Sequence, residues 1–308
     1  MTNPRVSVVV CCYNMIRELP RTLRSLSPEM QRGIDIADYE VIVVDNGSSQ
    51  PVDEASCNSF GTNMRLIRID DAAQSPAHAM NRGIAAARAP LIGAMVDGAR
   101  MASPGLLAGT LFADRLSRRA IIITLAFHLG PKVQMQSVFE GYDQAAEDQL
   151  LESCGWTKDG YRLFDISVLA GSSSAGWFEP IAESNALFMS RKLWEELGGF
   201  SEQFQTPGGG FVNLDTLSRA LQLPDIQPIT LLGEATFHQV HGGVATNSAP
   251  GATVPFAQEY ETIRGEPFRL LNYSSIYVGT IDRAALRSIA QSALMSRKRR
   301  CSGMVQNS

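Results

Sequence analysis

Residues 79–98, AMNRGIAAARAPLIGAMVDG, decide the fold. Leu91 to Val96 is a short apolar run between Pro90 and Asp97-Gly98, and it reads as a buried parallel-sheet strand. The part before it continues a pattern begun at Ser75-Pro76, an N-cap followed by a first helical residue. Ala77, Met80, Ile84 and Ala87 then fall on one helix face. The strand stops at a single acid, Asp97. Ligands of open α/β sheets gather at the carboxyl ends of such strands, and Gly98 lets a ligand approach the backbone. A carboxylate there suits a metal ion on a diphosphate.

The pattern extends in both directions. Upstream, Val6 to Cys12 and Tyr39 to Asp45 are continuous apolar strands, and Leu66 to Ile69 is a shorter one. Between the first two, Ile16, Leu19, Leu23 and Leu26 repeat at helical spacing, with Asn14 as cap and Pro20 in the first turn. This β-α-β order predicts a mostly parallel sheet covered on both faces. Downstream, Ala120–Phe127 and Ala186–Met189 read as strands, and Arg191–Leu197 as a helix ended by Gly198-Gly199. Residues 130–176 read as irregular helix and loop. Pro207–Gly210 is a flexible loop, and Val212–Leu221 a helix. Ile229–Leu232 and Ala235–Val240 are two further strands. The tail from Pro250 is loop-rich until Asp282 caps a last helix. The expected division is a domain over residues 1–248 and an extension over 249–308.

Composition excludes several classes. Lys and Arg total 27 against 31 acids, a net charge of −4, so no global field draws nucleic acid. The five cysteines are scattered, without CxxC spacing, which argues against a disulfide framework or a zinc site. A reducing cytoplasm is the expected compartment. No apolar run approaches the roughly 18–20 residues of a membrane span. The run Arg297-Lys298-Arg299-Arg300 reads either as a solvated helix end or as a peripheral contact with lipid phosphates at the inner membrane face.

With these stretches in order, the chain resembles the family 2 glycosyltransferases of the GT-A fold. The resemblance rests on VSVVVCCYN, YEVIVVDNGSS and AMNRGIAAARAPLIGAMVDG, then ESNALFMSRKLWEELGGFSEQF and GGGFVNLDTLSRAL, spanning roughly residues 5–245. It implies an α/β, Rossmann-like GT-A sheet with a C-terminal helical extension. It also implies a nucleotide-sugar donor, a glycan or glycolipid acceptor, and divalent manganese or magnesium. Polysaccharide biosynthesis is the implied setting.

The resemblance places the donor nucleotide on Tyr13, Asn14 and Asp45, with Asn81 and Arg82 toward the phosphates. Asp45 also reads as a turn former in VDNGS, and Arg82 equally as a solvated helix residue. Asp97 takes the first position of the family's Asp-x-Asp motif, and Ala99 stands where the second acid belongs. A metal wants about six ligands, so a further protein ligand is expected. His241 is favoured for that place, beside Gly242-Gly243, with His238 read as the packed histidine. The general base of inverting members falls at Val212 and Asn213. That leaves a retaining reaction, with Asn213 orienting the sugar, or another acid such as Glu183. Asp215 reads as an i, i+4 partner of Arg219. Trp177 is the expected sugar-stacking ring, joined at the acceptor site by Asn185, Gly209 and Gly210. Two rival functions remain at this point: a degenerate nucleotide-sugar or glycan-binding module, motivated by Ala99 and Asn213, and a sugar nucleotidyltransferase.

Overall fold

The alternation of strand and helix extends along most of the chain. The computed structural model describes residues 3–243 and 254–305. Its strands are β1 (Val6–Cys12), β2 (Tyr39–Asp45), β3 (Met64–Arg68), β4 (Leu91–Met95), β5 (Arg100–Ala102), β6 (Ala120–Leu129), β7 (Ser167–Leu169), β8 (Leu187–Ser190), β9 (Gln227–His238) and β10 (Ile276–Val278). The helices are α1 (Leu19–Ser25), α2 (Glu54–Asn58), α3 (Ala77–Ala86), α4 (Leu106–Asp114), α5 (Gln134–Ser137), α6 (Gln144–Cys154), α7 (Arg191–Leu197), α8 (Val212–Leu221), α9 (Val254–Arg264) and α10 (Leu286–Val305).

One sheet runs β10-β9-β6-β8-β4-β1-β2-β3, with β5 added beside β9 and β7 beside β6. β1, β2, β3 and β4 are mutually parallel, and β8 runs antiparallel between β4 and β6. Every residue of β1 and β2 is buried, which is why both read as unbroken apolar runs. Alternate side chains feed two cores. Val6, Val8 and Val10 meet α1 and α4 through Leu19, Leu23, Leu106 and Leu107. Val9 and Cys11 share the opposite layer with Met80 and Ile84 of α3 and Trp194 of α7. Helix α3 lies unusually close to the sheet at Gly83, where a Cβ would stand 2.3 Å from a Val9 methyl.

The two strands expected at 229–232 and 235–240 are one strand, β9. Its register against β6 jumps from Ile123 opposite Thr230 to Leu125 opposite Ala235, so β9 carries an odd number of extra residues there. The bulge contains Gly233 at φ +77°. Before it Ile229 and Leu231 face one core; after it Ala235 and Phe237 face the other.

Other expectations shift. Asn14 does not cap α1, which begins after Glu18. Asn14 sits instead at φ 52°, and its side-chain oxygen accepts from Ser49 N at 2.8 Å. The tail holds more than a final helix: Phe256 and Tyr260 of α9 are buried, and β10 extends the sheet alongside β9. A three-residue edge strand with exposed Ile276 and Tyr277 carries no alternation to read. The expected boundary at 248–249 lies outside the described residues, as does the side chain of Arg300. No described helix is long and apolar enough to cross a membrane.

Candidate metal centre

Beyond the end of β4 the chain turns tightly into β5. Asp97 Oδ1 accepts from Ala99 N at 2.9 Å and its carbonyl accepts from Arg100 N at 3.1 Å. Gly98 makes the turn possible, since a Cβ there would lie 2.8 Å from that of Cys12. β5 then pairs antiparallel with β9, setting Arg100 opposite His238. β9 ends at His238. The next two residues are pinned, Gln239 N to Ala99 O at 3.0 Å and Val240 N to Glu147 Oε2 at 2.9 Å. The bend brings His241 round to the same acid.

Both histidines therefore face Asp97, where the strand alternation favours only one. His238 Nε2 lies 2.7 Å from Asp97 Oδ2, His241 Nε2 lies 3.2 Å from the same oxygen, and the two nitrogens are 3.2 Å apart. Gln134 decides the His238 tautomer. Its amide nitrogen donates to His238 O at 3.0 Å, so its oxygen faces His238 Nδ1 at 2.7 Å and Nδ1 carries the hydrogen. The Nε2 lone pair is left pointing at the carboxylate. Such a set needs a shared proton or a metal. Cis donors on an octahedral ion with bonds of about 2.1 Å stand about 3 Å apart, which matches all three separations. Two imidazoles and one carboxylate suit manganese better than magnesium.

Burial opposes ionisation of Asp97, but the His241 and His238 rings outweigh it and hold the carboxyl well below its usual range. Burial lowers His238 to about 4, against the pull of Asp97, so this ring is neutral at pH 7. His241, also buried, is instead raised because Asp97 prevails. Ala99 is fully buried and supplies only backbone groups, so the second acid of the motif has no counterpart here.

The other expected residues divide into two groups. Glu183 joins the residue that stands opposite His238: Arg100 Nη2 lies 3.2 Å from its Oε1. Through Ser184, whose N and Oγ donate to Asn213 O at 3.2 Å, it is tied to the start of α8. The side-chain oxygens of Asn185 and Asn213 are buried there without a partner. Tyr13 is exposed at the end of β1. Asn14 and Ser48 line a cavity of about 320 Å³ between α1 and α2. His241, Gly242 and Tyr142 border an open hollow of about 650 Å³.

The second group is engaged elsewhere. Asp45 is fully buried, its two oxygens accepting from Ser48 N, Val52 N and Arg68. Burial resists its charge, yet those bonds win and lower its pKa. It holds a turn, as the Asx reading has it. Asn81 clamps the loop after α7, exchanging bonds with Phe200 O and Phe200 N. Arg82 is exposed. Asp215 is buried between Arg219 and Arg264, whose guanidinium groups occupy both its oxygens. Gly209 and Gly210 pack on Pro76 and on α9. The sugar-platform expectation for Trp177 is corrected: the ring is fully buried among Phe127 and Phe164, with its N–H on Leu231 O. Sequence reasoning missed Gln134 and Arg100. Nothing marks Gln134 within its irregular segment, whereas Arg100, three residues past Asp97, was within reach.

Residues 7–97, ending on Asp97 itself, match the family described as Glycosyl transferase family 2. No curated protein matches the chain. Among solved structures, S. aureus TarS 1–349 is similar with 14% identity and a TM-score of 0.52, over 76% of this chain and 60% of that one. Its complex with UDP aligns at 12% and 0.52, over 84% and 64%. Its complex with UDP-GlcNAc aligns at 14% and 0.53, over 84% and 65%. The chain thus spans about 60–65% of these structures. By fold the protein is of the GT-A class. Its residues 7–97 are similar to glycosyl transferase family 2.

Proposed function

We propose that the protein is a glycosyltransferase that moves a sugar from a nucleotide diphosphate sugar to an acceptor hydroxyl on a glycan or glycolipid. One observation carries the reading: Asp97, His238 and His241 each offer one possible ligand atom, and these converge within 4.8 Å of one another beside the carboxyl end of β4. A divalent ion held there would neutralise charge on the departing diphosphate. Gln134 keeps His238 in the ligating tautomer, and Glu147 fixes the bend that presents His241. In an inverting reaction Glu183, held by Arg100, would receive the acceptor's proton. The hollow beside His241 gives the sugar and acceptor room.

The test is a thermal-shift panel of UDP, GDP and dTDP with and without manganese, followed by donor hydrolysis. A bound ligand stabilises by a term logarithmic in its concentration over Kd. Metal-dependent stabilisation and slow release of nucleoside diphosphate are expected, both lost in Asp97→Ala. Ala99 and Asn213 favour a second reading, a binding module. Nucleotide-sugar binding without turnover of any donor would establish that reading in place of the enzyme.

A further inference from the structure

β6, β9 and β5 lie side by side at this end of the sheet, and their register aligns one residue from each. His128 is opposite His238, and His238 is opposite Arg100. Directly opposed residues share a face of the sheet, so these three basic side chains form a row that passes through the candidate centre at His238. The outer two differ. His128 Nδ1 accepts from Gln134 N at 2.9 Å, and burial pushes this ring well below its ordinary pKa, leaving it neutral. Arg100 carries a permanent charge. It is more than nine-tenths buried, at 8% exposure, and only Nη2 has a side-chain partner, Glu183. Its Nη1 is buried with no acceptor at all. A charged donor left unmade in the interior is costly, and a guanidinium fork with one free prong matches a phosphate oxygen.

We infer that Arg100 is a diphosphate-binding residue. Its free Nη1 takes an oxygen of the donor's diphosphate while Nη2 keeps Glu183 in place. The centre has one carboxylate where two would neutralise a bound metal more fully, so the site as a whole is more positive toward its anion. Arg100 adds to that bias and supplies a direction the ion cannot. This rests on the donor-binding reading above, but its ligand chemistry is the diphosphate alone.

The experiment is calorimetric titration of the full chain, in manganese, with inorganic pyrophosphate and then UDP, GDP and dTDP. Arg100→Ala should weaken pyrophosphate roughly 10- to 100-fold, and Arg100→Lys, which keeps the charge but not the fork, should fall between. Because Arg100→Ala strands Glu183, the double variant Arg100→Ala/Glu183→Gln is titrated beside it, with its melting temperature as the check on folding. A double variant as weak as the single supports direct binding. Recovery of wild-type affinity in the double variant would mean that Arg100 only holds Glu183, and would overturn the proposal. So would unchanged affinity in Arg100→Ala, or a wild-type chain that does not take pyrophosphate. If pyrophosphate binds through Arg100 but no nucleotide binds more tightly than it, the nucleotide-sugar reading fails and the Arg100 assignment stands.

Discussion

Asp45 and Asp97 end or follow the two parallel strands that flank β1 and look alike in the sequence, yet the fold surrounds them differently. Asp45 is ringed by donors, two backbone N–H groups and a guanidinium. Asp97 points one oxygen at a backbone N–H and the other at two ring nitrogens, one of which is an acceptor. A carboxylate whose surroundings complete its hydrogen bonds is structural. One facing another lone pair needs a shared proton or a cation between them. The partners, rather than the acid or its place on the strand, separate the two roles.

The largest expected effect breaks the comparison at Asp97. Asp97→Ala should lower metal-dependent donor turnover at least about 100-fold with little change in melting temperature, measured by nucleotide release and thermal denaturation. Asp45→Ala should do the reverse. It orphans two N–H groups and a half-buried arginine, which costs about 2–3 kcal/mol of stability, while manganese binding per folded molecule stays unchanged. A large loss of nucleotide affinity in folded Asp45→Ala would return that residue to the donor site.

Glu234 sharpens the contrast as a third kind of buried acid. Desolvation raises it to about 7, and bonds from Ser103, Tyr161 and Gly105 only partly offset that. The folded chain therefore keeps a proton that the unfolded chain loses near 4.5. The contribution to stability is present below about 4.5 and declines as pH rises to about 7, by at most about 3 kcal/mol. Glu234→Gln should flatten that decline in denaturant titrations at pH 5 and 8; equal slopes for both proteins would refute the assignment. Glu147, also raised to about 7 by burial, should retain its share of the slope. The smallest effect falls on the neighbour of a ligand: Gln134→Ala should weaken manganese binding about 10-fold, with the loss read by calorimetry.

Much of the sheet was legible because β1, β2 and β4 are buried on both faces and their apolar runs have no other soluble explanation. The site was legible only in part. Asp97 and His241 follow from strand ends and family resemblance. His238 turned on where β9 stops, which an apolar pattern locates only to within a few residues, and the structure ends the strand on that residue. Trp177 was misread because a large ring after a Gly/Ser loop fits a sugar platform and a core equally well. Only the packing of Phe127 and Phe164 around it decides between them. Gln134 acts through one tautomer, a property without a sequence signature.

The bulge at Gly233 has a consequence for how this chain can vary. It works as a parity switch: by adding an odd number of residues, it exchanges the inner and outer faces of everything that follows on β9. Insertions or deletions of one residue between Thr230 and Ala235 would hand His238 to the aromatic core and turn Phe237 toward the acid. Drift in that short segment is thus quantised, tolerating changes in pairs and silencing the centre at every odd step.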